Sequence, residues 1–201
     1  MVIDSHCHIF KSEYESEKEY CYDCVQKGYD KHSYVFQAKA LYVYKGVVKA
    51  SMYRFKYSNK REYARFFATC ATRKYGDWIR RGGVQAIVPV PMYPGKQKLR
   101  GYNQAECFAK ELSALMGIPM ETKLVKRVVD TTPQKRLSSI QRKNNLKNAF
   151  QIVENVVQYE CVMVVDDIYT TGSTAEAVAR ELIKQGTRRV YLMTVCIGGD
   201  M

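Results

Sequence analysis

The second half of the chain repeats one pattern, in which short apolar runs alternate with amphipathic helices. Residues 84–90, 161–165 and 190–197 are apolar runs rich in β-branched side chains. Apolar residues recur at three- and four-residue spacing in 105–115, a helix predicted to end near Gly117, and again in 175–183. Strands joined by helices in this way lie parallel in a sheet that is covered on both faces. The sequence therefore predicts an α/β domain with a parallel sheet.

The rest of the chain divides into two parts. Residues 1–33 are polar and contain all three His and three of the seven Cys, whereas 34–44 resemble a strand and the basic, aromatic sequence up to 81 is predicted to be helical. We expect 1–33 to be a small appendage and 34–201 to be one domain. There is neither a signal peptide nor an apolar run of roughly 18 residues, so we expect a cytoplasmic protein with no membrane insertion.

The positive charge is concentrated in the middle of the sequence. The chain carries a net charge of +12. Residues 39–81 contain twelve basic and two acidic side chains, and residues 95–147 contain twelve basic and four acidic ones. Such a field attracts polyanions, either nucleic acid or a substrate with several phosphates. The alternative is a surface that serves only solubility.

The segment between the strand at 161 and the helix at 175 is rich in groups that bind phosphate. Ser173 and Glu176 have the spacing of a capping box, which predicts that the helix begins there. A helix N-terminus offers unpaired N–H groups and a partial positive charge. Hydroxyl donors and a glycine that lets the backbone curl around an anion precede it: Thr170, Thr171, Gly172, Ser173 and Thr174.

Two adjacent carboxylates, Asp166 and Asp167, stand at the other end of this segment. They can accept hydrogen bonds from sugar hydroxyls or help to hold a divalent cation. Ligands of open α/β sheets collect at the carboxyl ends of the strands, where this segment is expected to lie. One end of the segment thus suits a phosphate and the other suits a ribose.

Three blocks of sequence carry a resemblance to known proteins. Residues 162–174 resemble the phosphoribosyl pyrophosphate (PRPP) motif of type I phosphoribosyltransferases. Residues 88–92 with 99–106, and spaced positions within 127–150, resemble the ComF/GntX family, which is tied to bacterial competence and DNA uptake. The resemblance runs from about residue 42 to residue 198. It implies a parallel sheet with flanking helices, a flexible hood and a small N-terminal Cys/His appendage.

The resemblance also implies a role for particular residues. Asp166 and Asp167 would bind the 2′ and 3′ hydroxyls of the ribose, and residues 170–174 would surround its 5′-phosphate. Pro91 and Met92 would occupy the position of the pyrophosphate loop. Mg²⁺ would bridge pyrophosphate and ribose oxygens, held chiefly by the substrate and water.

Residues 126–145 are basic and polar and show no regular period. In the enzymes that the chain resembles, the corresponding hood closes over the reacting centre. Cations on such a lid stabilise the charge that develops on the leaving pyrophosphate, and the candidates for catalytic residues are Arg100, Arg127 and Arg142. The alternative is a basic loop that is merely solvated.

A Cys-x-x-Cys pair, Cys21 and Cys24, lies in the N-terminal segment. The resemblance implies a zinc site here. Cys7 supplies a third thiolate, and the fourth ligand would be His8, His6 or Asp4, since zinc accepts Cys, His and carboxylate ligands. The alternative is a set of reduced thiols that hold no metal.

Two functions are therefore predicted, and they can coexist. The first is a phosphoribosyltransferase, in which an acceptor displaces pyrophosphate from PRPP. The second is a non-catalytic competence factor that binds single-stranded DNA on the PRPP-type fold, as part of a DNA-uptake machinery. Aromatic residues interleaved with the basic charge of 39–81 favour the second, because aromatic rings stack on bases: Tyr42, Tyr44, Tyr53, Phe55 and Tyr57. The alternative, equally compatible with the sequence, is that these aromatic side chains belong to the core or the hood. No residue can be assigned to the recognition of the acceptor.

Overall fold

The computed structural model describes residues 33–129, 149–153 and 159–198. Its strands are β1 (Gln37–Tyr44), β2 (Ala86–Pro89), β3 (Val125–Arg127), β4 (Phe150–Ile152), β5 (Cys161–Tyr169) and β6 (Arg189–Gly198). The main sheet has the order β1-β6-β5-β2, with every neighbouring pair parallel. Strands β3 and β4 form a separate antiparallel pair.

Five helices are described: α1 (Gly46–Tyr57), α2 (Tyr63–Arg81), α3 (Pro94–Arg100), α4 (Gln104–Met116) and α5 (Ser173–Lys184). The predicted helical character of the basic segment before residue 81 is confirmed by α1 and α2. The predicted end of α4 near Gly117 is also confirmed. Gly117 adopts a left-handed conformation with φ of 69°, as glycine commonly does directly after a helix.

The sheet is buried on both faces, as the continuous apolar runs predict. On β5, Val162 and Val164 belong to one core cluster together with the apolar face of α5. Met163 and Val165 point to the other face and pack in a second cluster with side chains of α1, α2 and α4. The predicted α/β domain with a parallel sheet and flanking helices is confirmed.

The carboxyl ends of the four parallel strands lie at one edge of the main sheet. There β5 is longer than its apolar run, because Asp166, Ile168 and Tyr169 continue to pair with β6. The prediction that the two aspartates belong to the segment between the strand and the helix is therefore wrong. They lie on the strand itself, and the connection to α5 is only residues 170–172.

Two predictions remain, one about the N-terminal appendage and one about membrane insertion. Almost all of the predicted appendage at 1–33 lies outside the described residues, so the domain division stays a prediction. None of the helices described is long and apolar enough to cross a membrane.

Candidate functional site

Asp166 and Asp167, called the acidic pair below, lie in the C-terminal half of β5 at the carboxyl edge of the sheet. Asp166 and Asp167 are both half-buried, and the Asp167 amide donates a 2.8 Å hydrogen bond to Asp166 Oδ1. Burial, followed by the charge of Asp167, raises the pKa of Asp166 to about 7. That hydrogen bond and the charges of Lys56 and Arg127 oppose this rise in pKa. The charge of Asp166 therefore depends on nearby cations.

Lys56, near the C-terminus of α1, is a site residue that the sequence analysis missed. Its Nζ lies 2.7 Å from Asp167 Oδ2, with the two side chains only 17% and 16% exposed. Burial by itself lowers the pKa of Lys56, but the charge of Asp167, their hydrogen bond and the charge of Asp166 raise it above its ordinary value. The basic segment 39–81 contains many lysines and arginines, and only the contact with Asp167 in the folded chain distinguishes this one.

Two of the three predicted arginines act electrostatically on this site. The charge of Arg127, in β3, lowers the pKa of Asp166, and the charge of Arg100, at the end of α3, lowers that of Lys56. Arg142 lies outside the described residues. Cations from α1 and β3 thus act on Asp166, and one from α3 acts on Lys56, although these elements are far apart in sequence.

The connection between β5 and α5 requires glycine at position 172. Gly172 has φ of 73°, which disfavours any residue with a side chain, and a Cβ there would lie 2.5 Å from Tyr169 Oη. Thr170 and Thr171 are exposed, and the hydroxyl oxygens of Thr171 and Ser173 are 2.9 Å apart. The backbone therefore makes a tight turn that presents hydroxyl groups directly before a helix.

The capping box predicted for α5 is wrong. The helix begins at Ser173 as expected, but Gly172 is the N-cap residue, and its end has no side-chain cap. Glu176 instead accepts hydrogen bonds from the Tyr34 amide, at 2.9 Å, and from the Ser33 hydroxyl. The carboxylate thus holds the chain that leads into β1. The first N–H groups of α5 keep their partial positive charge beside the hydroxyl-bearing turn.

Pro91 and Met92, predicted for the pyrophosphate loop, line a groove of about 480 Å³ beyond the end of β2. The opposite wall includes Lys126 and Arg127 of β3. Neither the acidic pair nor residues 170–174 line this groove. Arg127 connects the two regions, since it lines the groove and its charge acts on Asp166.

The Arg-Gly-Tyr-Asn-Gln block at 100–104 holds the turn after β2 in place. Asn103 caps α4 by accepting from the Ala105 amide at 3.1 Å, and its Nδ2 donates to the Val90 carbonyl at 2.9 Å. The Tyr102 hydroxyl donates to the Phe55 carbonyl of α1. Tyr102 and Asn103 of this block therefore tie α1, the end of β2 and α4 together.

The aromatic residues of the basic segment differ in exposure. Tyr53 and Tyr57 of α1 are each 61% exposed, with ring centroids 5.0 Å apart, and Arg100 lies 5.2 Å from the centre of the Tyr57 ring. Phe55 is fully buried, so its prediction as a base-stacking residue is wrong. Tyr42 and Tyr44 are half-buried and pack against the core. Of the five aromatic candidates, only Tyr53 and Tyr57 thus have rings exposed to solvent.

The described residues contain no group of three or more His, Cys, Asp or Glu side chains that could hold a metal ion. For Mg²⁺ the acidic pair offers two carboxylates, one of them paired with Lys56. This donor set suits a cation held mainly by substrate oxygens. The predicted zinc ligands Cys7, Cys21, Cys24 and His8, with the alternatives His6 and Asp4, all lie outside the described residues.

Comparison with curated proteins gives related sequences of one kind. Competence protein F of Haemophilus influenzae is 42% identical over 54% of this chain and 48% of its own length. DNA utilization protein YhgH of Salmonella typhimurium is 32% identical over 72% and 65%, and competence protein ComFC of Bacillus subtilis is 25% identical over 75% and 59%. The chain is homologous to these proteins and spans about half to two thirds of their length.

No protein-family model matches the chain. Among solved structures, a purine phosphoribosyltransferase from Pyrococcus horikoshii aligns with 67% of this chain and 84% of its own, with a TM-score of 0.43 and 16% identity. A UMP synthase from Leishmania donovani aligns with 67% of this chain and 21% of its own, with a TM-score of 0.32 and 19% identity.

Proposed function

We propose that this homologue of competence protein F and the YhgH proteins binds PRPP or a nucleoside monophosphate at the carboxyl edge of its sheet. The observation that carries the proposal is the sequence of groups from Asp166 to α5. Two half-buried carboxylates are followed, after one short turn, by hydroxyl groups and an uncapped helix N-terminus. Carboxylates accept hydrogen bonds from sugar hydroxyls, and the helix N-terminus attracts a phosphate.

In this proposal the ribose lies against Asp166 and Asp167, with its 2′ and 3′ hydroxyls as donors. The charges of Lys56 and Arg127 favour the ionised form of Asp166, which accepts the stronger hydrogen bond. The 5′-phosphate lies at residues 170–174. Gly172 supports this placement, because its missing side chain and left-handed backbone form the tight turn.

The groove lined by Pro91 and Met92 is the proposed place for the pyrophosphate of PRPP, next to the basic side chains of β3. In a transfer reaction, the bond from the anomeric carbon to pyrophosphate breaks while a bond to the acceptor forms. Arg100, Arg127 and Arg142 are the proposed catalytic residues, which stabilise the charge on the leaving group. Mg²⁺ would arrive with PRPP, held chiefly by pyrophosphate and ribose oxygens.

The test of this proposal is calorimetry with PRPP and Mg²⁺ on the wild type and on the double variant Asp166→Asn with Asp167→Asn. Each hydrogen bond to a charged acceptor contributes about 1.5–3 kcal/mol, so the double variant should bind at least about tenfold more weakly. Asp77→Asn is the matched control, since Asp77 is an exposed carboxylate that pairs with Arg80 of the same helix. Equal PRPP affinity in the double variant and the control would contradict the proposal.

Catalysis needs a separate measurement. A phosphoribosyltransferase releases pyrophosphate from PRPP in the presence of Mg²⁺ and an acceptor, whereas a binding protein does not. A pyrophosphate-release assay over a panel of amines and nucleobases separates the two. Release that Arg127→Ala abolishes, with PRPP still bound, would support the transferase.

The second candidate function is binding of single-stranded DNA, in a role in DNA uptake that fits the names of the curated relatives. The observation that favours it is the outer face of α1, where Tyr53 and Tyr57 lie open beside the exposed cations Lys49 and Arg54. Aromatic rings stack on bases while cations follow the phosphates.

Fluorescence anisotropy with a labelled oligonucleotide tests this function over a range of salt concentrations. Counterion release predicts a log–log slope of about −0.7 for each phosphate that is neutralised. Binding that is weak and nonspecific and falls steeply with salt supports the function. No binding at about 50 mM salt would remove it.

We also propose that the protein acts in the cytoplasm, where PRPP is available. A further proposal is a structural zinc ion bound by Cys7, Cys21, Cys24 and His8. Elemental analysis of protein purified under reducing conditions without added metal tests the zinc site. About one equivalent supports it, and less than about a tenth of an equivalent contradicts it.

A further inference from the structure

Lys56 is half-buried on the inner side of α1, whereas its neighbours Tyr53 and Tyr57 are exposed. Its ammonium group reaches Asp167 across 2.7 Å, and both side chains are largely removed from solvent. Surface ion pairs of the same helical region look different: Lys60 and Glu62 are 3.5 Å apart and more than half exposed. The Lys56 contact is therefore part of the packed structure.

The surrounding packing fixes the backbone of Lys56. The preceding residue, Phe55, is fully buried, and its carbonyl accepts a hydrogen bond from the Tyr102 hydroxyl. Met52, one turn earlier, is also fully buried. Because α1 is held at these points, the Lys56 side chain starts from a fixed position and its ammonium group restrains Asp167.

We infer that Lys56 is a positioning residue for ribose recognition, an inference that rests on the function proposed above. The ion pair uses Oδ2 of Asp167 and holds the carboxylate in one orientation. A carboxylate has about four lone-pair sites, so acceptor capacity remains for a ribose hydroxyl. Lys56 thereby selects ligands that carry vicinal hydroxyls, without itself needing to contact them.

The charges around the pair support this role. Asp166 and Asp167 are adjacent in the strand, and the charge of Asp167 acts unfavourably on ionised Asp166. The charge of Lys56 acts favourably on both carboxylates. Without Lys56, the Asp167 carboxylate would lose the cation that offsets its charge beside Asp166 and fixes its orientation.

An opposite role would also use this contact. If Lys56 occupied the place of a ribose hydroxyl, the ligand would have to displace it, and removal of Lys56 would then tighten binding. The fixed backbone of α1 and the unused lone pairs of Asp167 favour positioning. The two roles predict affinity changes of opposite sign.

The experiment compares AMP with 2′,3′-dideoxy-AMP by calorimetry, because the two differ only in the hydroxyls that the acidic pair would bind. The variants are Lys56→Met, Lys56→Arg and the control Lys60→Met, which removes the same charge from an exposed ion pair. The AMP preference is the affinity for AMP divided by the affinity for dideoxy-AMP. Lys56→Met should reduce this ratio about tenfold, because AMP binds more weakly while the affinity for dideoxy-AMP changes little. Lys56→Arg should largely restore the preference, and Lys60→Met should leave it unchanged.

Thermal unfolding of each variant is measured first, and Lys56→Gln replaces Lys56→Met if the latter does not fold. If Lys56 only stabilised the fold, its loss would lower the affinities for both ligands equally, and that result would contradict a positioning role. An unchanged preference, or tighter AMP binding in Lys56→Met, would overturn the inference while leaving the ribose site intact. If the wild type itself binds both ligands equally, the proposed ribose site is wrong and the inference falls with it.

Discussion

Two regions meet at the acidic pair, and they are built in different ways. The first is the β5–α5 connection, where Asp166, the turn at Gly172 and the start of α5 follow one another within eight residues. The second is α1, which reaches the site from more than a hundred residues away in sequence through Lys56. The first presents a tight turn that suits one small phosphate. The second has an open outer face that suits an extended polyanion.

The comparison leads to a separation of functions. Substitutions in the β5–α5 connection should lower the affinity for small phosphate ligands and leave DNA binding unchanged. Substitutions on the outer face of α1 should weaken DNA binding and leave the affinity for small phosphate ligands unchanged. Lys56, on the inner face of the same helix, is the place where the two regions touch.

The largest effect is expected for Gly172→Ala. The left-handed backbone and the contact of the new Cβ with the buried Tyr169 ring should together lower the free energy of unfolding by about 3 kcal/mol. PRPP affinity should fall as well, because the turn must open. Urea denaturation and calorimetry measure the two effects.

Gly117→Ala is the matched control for this variant. Gly117 has nearly the same φ, 69°, but a Cβ there meets nothing within 4 Å. It should cost about 1 kcal/mol from backbone strain alone, with PRPP affinity unchanged. Equal losses of stability and binding in the two variants would show that close packing at the β5–α5 turn is unimportant.

An intermediate effect is expected for the double variant Tyr53→Ala with Tyr57→Ala. Loss of two stacking rings should weaken single-stranded DNA binding roughly tenfold or more, at about 1–3 kcal/mol per stacked base. PRPP affinity should stay within about twofold, since neither ring packs in the core. Anisotropy and calorimetry on the same preparation measure both.

Tyr34→Ala provides the control, because Tyr34 is 43% exposed and precedes β1, outside the helix. It should leave DNA binding unchanged. A parallel loss of PRPP and DNA affinity in the α1 double variant would mean that the two regions form a single binding surface.

The smallest effect concerns pH. In the folded protein the pKa of Asp166 is raised to about 7, above its ordinary value. The folded state therefore holds a proton that the unfolded state has already lost, and this contribution to stability is lost as the pH rises towards 7. The change is at most about 1.4 kcal/mol per pH unit.

The corresponding variant is Asp166→Asn, measured by urea denaturation between pH 5 and pH 8. The wild type should lose stability relative to the variant as the pH rises through this range. PRPP affinity of the wild type should change in the other direction and increase, because the ionised carboxylate is the better acceptor. A constant difference in stability across the range would contradict the raised pKa.

The sequence predicted the first region better than the second, and the reason is locality. The apolar run of β5, the aspartates, the hydroxyl groups and Gly172 are contiguous, so their order along the chain gives their order in space. The errors there arose from contacts with distant parts of the chain. The strand extends through the aspartates because β6 continues to pair with it, and Glu176 bonds the chain before β1 instead of capping α5.

The contribution of α1 could not be predicted from the sequence. Lys56 has the same residue type as several neighbours, and its role depends on which face of α1 packs against the sheet. Phe55 is a different case. It lies between two exposed tyrosines in the basic segment, yet packing places it in the core. Helical spacing puts Phe55 on one face of α1 with Val48 and Met52, and that local signal was overlooked. The contact of Lys56 with Asp167 depends on elements that are distant in sequence, and no local pattern predicts it.

The central claim is that a 5-phosphoribosyl ligand binds at the β5–α5 connection. A crystal structure of the protein with ribose 5-phosphate tests it most directly. The account predicts the phosphate at residues 170–174, within hydrogen-bond distance of the first N–H groups of α5, and the ribose hydroxyls on Asp166 and Asp167. A phosphate bound instead in the groove at Pro91 and Met92, with the acidic pair still free of the sugar, would contradict it.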